Sequence, residues 1–291
     1  MNKPVPAHYL KYYGWSALEL RAGDKSIFFD PFFRPYCGAH WFNLPDFAHA
    51  DLVCVTHGHE EHFLDVPAVV EASGARVVAT PSVCRFLARR NKTPATQLLP
   101  TEWGEHVDAE GFRIDLFPWK HRDISLVKAM SKAVFHGNTT QLSWAWSSAT
   151  NAPFYSGYTG FHVTLPDGRT VLNYNEGFNS KMTDQDMALL KQQYSKVDVL
   201  LAGMQLFFID EVVRGVKALQ PKVVLLYPPH EHFHAMMGVS SAPWEDFAAA
   251  VRTACPGVLV VVAVPGTVLG LNDHSVRLEA TTAAGATLQA A

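Results

Sequence analysis

The sequence predicts a mixed α/β fold with buried strands, on three observations. Short apolar runs rich in Val, Ile, Leu and Phe recur along the whole length. Helix-like segments with recognisable ends are interleaved with them. No low-complexity linker or internal repeat divides the 291 residues, so the chain reads as one domain, 1–291.

Taken in order, the strand-like runs are 26–29, 52–55, 76–79, 112–117, 161–165, 170–174, 197–201, 223–227 and 258–264. A helix over 66–73 stops at Gly74, a residue suited to the left-handed position after a last turn. Thr80-Pro81 opens a second through about 90, with proline at the first helical position. Thr183, with Asp186 three residues on, caps 185–194. The segment 211–219 stops before Pro221, and Ser241-Ala242-Pro243 opens 244–254. The tail 273–291, rich in Ala and Thr, is expected to pack loosely.

Composition narrows the class. Hydrophobic residues at 48% and aromatics at 12% are ample for a sizeable core. The net charge is −3 and the basic residues are scattered, which argues against a nucleic-acid partner. The start has no apolar signal core, and the longest apolar run, 258–264, is too short for a transmembrane segment. Cys37, Cys54, Cys84 and Cys255 show neither metal nor disulfide spacing. A soluble cytoplasmic protein acting on a small molecule is expected, with a homo-oligomer left open.

Two segments break the pattern. An aromatic loop spans 31–47, and 123–158 is a long stretch of mixed signals carrying Trp144, Trp146, Phe154, Tyr155 and Tyr158. Long loops in compact domains often serve as lids, so 123–158 is read as a lid segment. Most of these aromatics would simply cover the edge of the core, yet two such segments flanking a polar cluster suggest an apolar substrate wall.

That cluster is Thr56-His57-Gly58-His59-Glu60-Glu61-His62, directly behind the apolar run 51–55. Imidazoles and carboxylates are the usual protein ligands of zinc, iron and manganese. Its bland reading is a solvated histidine-rich loop. Against that, three further ligand-type residues appear just past strand-like runs: His121 after 112–117, Glu176 after 170–174, and His230 after 223–227. A catalytic metal is held by groups from several segments, which this order supplies.

These residues resemble the metallo-β-lactamase superfamily. His57-x-His59-x-Glu61-His62 is similar to its His-x-His-x-Asp-His motif, and Phe63-Leu64-Asp65 resembles the continuation in one branch. That branch holds N-acylphosphatidylethanolamine phospholipase D-like and ascorbate-6-phosphate lactonase-like hydrolases. Tyr13-Gly14-Trp15-Ser16, Phe28-Phe29-Asp30-Pro31 and the unit from Asp198 to His230 resemble it too. The resemblance covers roughly 8–270 and implies an αββα four-layer sandwich with two divalent metal ions, zinc above all, with manganese or iron open. By position, the first metal takes His57, His59 and His121, and the second takes Glu61, His62 and His230, with Glu176 bridging. Glu61 and Glu176 then act in catalysis. Asp65 either orients a ligating imidazole or is an ordinary first-turn carboxylate.

Both acids are Glu where the family uses Asp, and Asn175-Glu176-Gly177 replaces Gly-Asp-Thr. Glu60 can compete with Glu61 as ligand, and His232 or His234 can replace His230 or meet the substrate. Arg122, Trp144 and Trp146 are further candidates for substrate contact. For His106, His136 and His162 a hydrogen-bonded structural role is expected. A dinuclear centre activates water and polarises the bond attacked, so the leading expectation is a hydrolase acting through a metal-bound hydroxide. Its bond would be a lactone, ester, amide or phosphodiester. A di-iron oxygen-activating enzyme is the runner-up, and a scaffold with a decayed site comes third. No Gly-x-Ser-x-Gly elbow or phosphate-cradling glycine loop competes.

Overall fold

The computed structural model of the chain describes residues 7–122, 131, 134 and 139–282. The apolar runs become two stacked sheets. The first holds β1 (His8–Gly14), β2 (Ala17–Ala22), β3 (Lys25–Phe29), β4 (Leu52–Cys54), β5 (Arg76–Ala79) and β6 (Leu98–Pro100). The second holds β7 (His106–Ala109), β8 (Phe112–Pro118), β9 (Thr159–Thr164), β10 (Thr170–Asn173), β11 (Val199–Gly203), β12 (Val223–Tyr227) and β13 (Leu259–Val262). The chain then returns to the first sheet with β14 (Thr267–Gly270) and β15 (Val276–Leu278). The orders are β15-β14-β1-β2-β3-β4-β5-β6 and β13-β12-β11-β10-β9-β8-β7. In each sheet an antiparallel part meets a parallel part, β3 through β6 in one and β10 through β13 in the other.

Between the sheets lies the main core. Leu10, Leu18, Leu20, Ile27, Phe29 and Leu52 from the first sheet face Ile114, Leu116, Phe161, Val163, Leu201 and Leu225 from the second. Helices cover both outer faces. α1 (Glu60–Phe63), α2 (Val66–Ser73), α3 (Pro81–Phe86) and α4 (Thr139–Asn151) follow in chain order, then α5 (Asp184–Gln193), α6 (Ile209–Leu219), α7 (Glu231–Met236) and α8 (Trp244–Ala254). Val66, Val69 and Val70 of α2 pack with Val53 and Val77 on the outside of the first sheet. Val212, Val216 and Leu219 of α6, spaced at helical period, pack with Leu200, Val224 and Leu226 outside the second. This is the four-layer αββα sandwich. In a core this close-packed, truncating Ile114 or Leu201 to Ala costs about 2–5 kcal/mol.

The start and stop signals hold where local chemistry sets them. Thr183 accepts from Asp186 N while the Asp186 carboxylate accepts from Thr183 N, closing a capping box on α5. Gly74 ends α2 at φ 75°. Elsewhere the structure departs from the sequence reading. The tail is not uniformly loose: β15 pairs with β14, and Glu279 takes Lys11 at 3.0 Å. Residues 283–291 lie outside the described ones. Within the expected lid 123–158, residues 139–151 form α4, because the Trp144, Ala145 and Ser148 positions share one buried helical face. Residues 123–130, 132–133 and 135–138, including His136, lie outside the description.

Candidate metal centre

The candidate ligands all leave C-terminal strand ends, as ligand groups do in open α/β sheets. After β4 the backbone carries Thr56 to His59 into α1, so Glu61 and His62 stand in one helical turn. Gly58 is required between the histidines: a Cβ there would sit 2.1 Å from the carbonyl oxygen of Pro153, whose loop crosses the motif. His121 follows β8, Glu176 follows β10, and His230 follows β12 and caps α7. At Gly177, just beyond Glu176, a Cβ would meet Gly203 O at 2.0 Å, so β10 and β11 leave the sheet in close contact.

One ligand atom from each of His57, His59, His121 and Glu176 fits within 4.8 Å of the others, and so does the set Glu61, His62 and His230. All seven residues are buried. Glu176 sits among four imidazoles. Its Oε1 lies 3.3 Å from His57 Nε2, 3.4 Å from His62 Nε2 and 3.1 Å from His121 Nε2, and its Oε2 is 3.2 Å from His230 Nε2. Burial raises its pKa, but His121 and His230 outweigh that and hold it well below the usual carboxylate range.

The far sides of the rings are tied down. His62 Nδ1–H donates to Asp30 Oδ2 at 2.7 Å, Thr56 N donates to Asp30 Oδ1 at 2.7 Å, and the Thr56 hydroxyl donates to Oδ2. That hydroxyl is left to accept from His57 Nδ1–H at 3.0 Å, with the Asn175 side-chain amide 3.2 Å from the same nitrogen and able to turn its oxygen there. His121 Nδ1 meets the carbonyl of Arg122. The Nε2 lone pairs of His57, His62 and His121 therefore point inward. Asp30 reaches its place in the left-handed region, φ 42°, at the end of β3, a conformation Asp tolerates better than most residues. Burial, then the neighbouring imidazoles, push His57 and His59 well below their ordinary value. Burial also opposes the charge on His62, but Asp30 wins and lifts it to about 10. Ligation there requires release of that proton.

The arrangement fits metal ions on its own orphaned atoms. Among the described residues, His57 Nε2, His59 Nε2, His62 Nε2, both nitrogens of His230 and Glu61 Oε2 are buried without a hydrogen-bond partner. Buried polar atoms are seldom left so, and their gathering in the two ligand sets fits bound cations.

Aromatic rings wall the histidines. His59 lies 4.3 Å from Phe154, His121 stacks on Tyr158 at 4.6 Å, and Trp119 stands edge-on to His121. Of the expected substrate contacts, Trp144 is buried against Phe233, whereas Trp146 is 65% exposed on the opposite side of α4. His232 packs against Trp15 and Trp41, away from the ligand sets. His234 is buried, with Arg122 at its Nε2 and Ser241 at its Nδ1. Glu60 stands outside both sets; its carboxylate accepts from Tyr36 OH, and burial raises it to about 7.

Asp65 corrects the sequence reading. Its Oδ2 accepts from Phe33 N and Arg34 N at 2.8 Å and its Oδ1 from Arg34 Nε, so it clamps the aromatic loop and orients no imidazole. α1 ends at Phe63, and the turn through Leu64 aims Asp65 away from His62. The orienting acid is Asp30, which sequence reasoning missed together with Thr56. The available signal was an acid at the tip of the strand beside β4.

Comparisons with known proteins agree with this architecture. Residues 25–262 match the model of the β-lactamase superfamily domain. A UPF0173 metal-dependent hydrolase of Pyrococcus abyssi is 26% identical over 244 residues, 81% of this chain and 89% of the relative. Igni18, a metallo hydrolase of Ignicoccus hospitalis, aligns with TM-score 0.64 and 20% identity over 90% of this chain and 97% of its own. CmlA, a diiron β-hydroxylase of Streptomyces venezuelae, shares the fold at TM-score 0.61 and 13% identity, covering 96% of this chain and 55% of that one. With the model match spanning most of the sequence and both sheets, the chain belongs to the metallo-β-lactamase superfamily.

Proposed function

We propose that this protein is a metal-dependent hydrolase with a dinuclear centre, acting on a lactone, ester, amide or phosphodiester of a small molecule with an apolar portion. The observation that carries the reading is that seven buried ligand-type residues form two sets, each with its ligand atoms within 4.8 Å of one another, several of those residues holding atoms unpartnered among the described residues. His57, His59, His121 and Glu176 would hold one ion, and Glu61, His62 and His230 the other, with Glu176 reaching both. Divalent ions there supply Lewis acidity and lower the pKa of water. Five imidazoles with two carboxylates suit zinc; manganese and iron are the alternatives.

The chain's own residues then divide the work. Asp30, directly and through Thr56, fixes the tautomers of His62 and His57. Glu176 is engaged by imidazoles at both oxygens, so it serves as ligand and not as base. Glu61 would give one oxygen to the second ion and keep the other to take up a proton. Phe154, Tyr158, Trp119 and Trp144 exclude water and offer the apolar wall. The Phe63-Leu64-Asp65 continuation supports the phospholipase D-like and lactonase-like branch.

Metal analysis of protein purified without chelator, with turnover of a generic lactone or phosphodiester, tests the proposal. Zinc or manganese with hydrolysis is expected, and His59→Ala should lose the first metal and activity together. Activity retained in that variant sinks the ligand assignment. Iron with a visible absorption band and oxygen uptake would replace hydrolysis with the redox reading, and folded metal-free protein indifferent to chelator would leave only a scaffold.

A further inference from the structure

We propose that Arg122 anchors an anionic substituent, a carboxylate or phosphate ester, on the molecule processed at this centre; the proposal rests on the hydrolytic reading above. Arg122 follows the candidate ligand His121, whose Nδ1 meets the Arg122 carbonyl, so its backbone is tied to the site. The guanidinium Nη2 lies 3.1 Å from His234 Nε2. A guanidinium only donates, so His234 accepts there and turns its Nδ1–H to Ser241 Oγ, 3.1 Å away. The His234 ring is 5.8 Å from the His230 ring. The guanidinium therefore stands one imidazole away from a candidate ligand.

What it lacks among the described residues is a counter-charge. Among the described residues no carboxylate lies within 4.0 Å of Arg122, and its Nε is buried with no hydrogen-bond partner. The other partly buried arginines are all paired: Arg21 with Glu19, Arg76 with Glu110, Arg169 with Asp167, Arg214 with Asp184 and Arg277 with Glu279. Neighbouring Lys120 is held by Asp186 at 2.7 Å. A neutral His234 positions the guanidinium without neutralising it. Divalent ions in the centre add more positive charge nearby, so the complement of this wall is an anion. The planar donor fork of arginine suits a carboxylate or phosphate oxygen pair. A purely structural clip between the β8 loop and α7 would use the bond to His234 and gain nothing from the orphaned Nε.

The test uses the zinc-loaded full chain, with glutarate and propyl phosphate as probes in titration calorimetry. Binding of at least one is expected, weakened about tenfold or more in Arg122→Gln and only partly restored in Arg122→Lys, which keeps the charge but not the fork, with zinc content and melting temperature unchanged. Which probe responds separates the carboxylate from the phosphate. The paired readout is hydrolysis of 4-nitrophenyl acetate and the mono-4-nitrophenyl ester of glutarate. The wild type should prefer the charged ester, and Arg122→Gln should lose that preference through KM. Equal probe affinity in wild type and Arg122→Gln, no binding of either probe, or an equal fall on both esters overturns the anchor. Turnover of neither ester, with probe binding still dependent on Arg122, would count against those esters as substrates while leaving the anchor standing.

Discussion

His57, His59 and His121 come from two separate loops and are walled by Phe154, Trp119 and Tyr158, whereas Glu61 and His62 share one turn of α1 and are joined only by His230. The first set is held by packing as well as by the contacts of His57 Nδ1 to Thr56 and of His121 Nδ1 to the Arg122 carbonyl. The second depends more on a hydrogen-bonded chain, because His62 is aimed by Asp30 and Glu61 Oε2 has no hydrogen-bond partner among the described residues. Packing fixes a ring by excluding alternatives, while a single carboxylate fixes it by one strong contact. On the dinuclear reading the second half would therefore be the more easily emptied, and Glu176, whose oxygens lie near imidazoles of both sets, would be common to both.

Glu176→Gln breaks the comparison outright. It removes the charge that four imidazoles face, so both halves should fail: metal content by mass spectrometry falls to near zero, and activity drops by about 10³-fold or more. One metal retained at full occupancy would show that Glu176 does not join the halves.

Asp30→Asn sharpens it. The amide cannot accept from both Thr56 and His62 as the carboxylate does, so metal affinity should fall about 10- to 100-fold, more at the second half than at the first. The metal-free protein carries its own signature. Asp30 raises the His62 pKa to about 10, so this pair stabilises the fold fully below pH 6.5, its unfolded value. That contribution is lost as pH rises through about 10. Chemical unfolding of metal-free protein across pH 6–10 should show this decline in wild type and a flatter profile in Asp30→Asn.

The ligands and their supports were not equally legible in the sequence. Each candidate ligand stood just past an apolar run, and a strand end followed by a ligand-type side chain is a local pattern. The core strands were equally local, for 76–79 and 223–227 coincide with β5 and β12. The supports were not. Asp30 reaches His62 only because β3 and β4 pair in parallel, with Phe29 beside Cys54, a contact across 32 positions that no local spacing encodes. β1 and β2 were seen only as a hairpin resemblance, since Lys11 and Glu19 interrupt their apolar character. Glu19 is buried there because Tyr9, Tyr13 and His49 satisfy it. β15 was hidden because its exposed Val276 and Leu278 flank a polar residue in a tail of low apolar content.

Asp65 gives the smallest expected effect on the metals and the cleanest separation of the two acids. Three residues after His62 it is by spacing either an orienting carboxylate or an ordinary first-turn acid, and its side-chain bonds go to Phe33 and Arg34. Asp65→Asn keeps the size but removes the charge those donors meet, so stability should fall by about 1–3 kcal/mol in urea unfolding. Metal affinity should stay within about threefold of wild type, since no candidate ligand loses a partner. The pair Asp30→Asn and Asp65→Asn thus sets an acid that aims a ligand against one that folds a loop. If Asp65→Asn empties the centre as fully as Asp30→Asn does, then the aromatic loop held by Asp65 is itself part of what keeps the second half in place, and the division between packed and tethered halves fails.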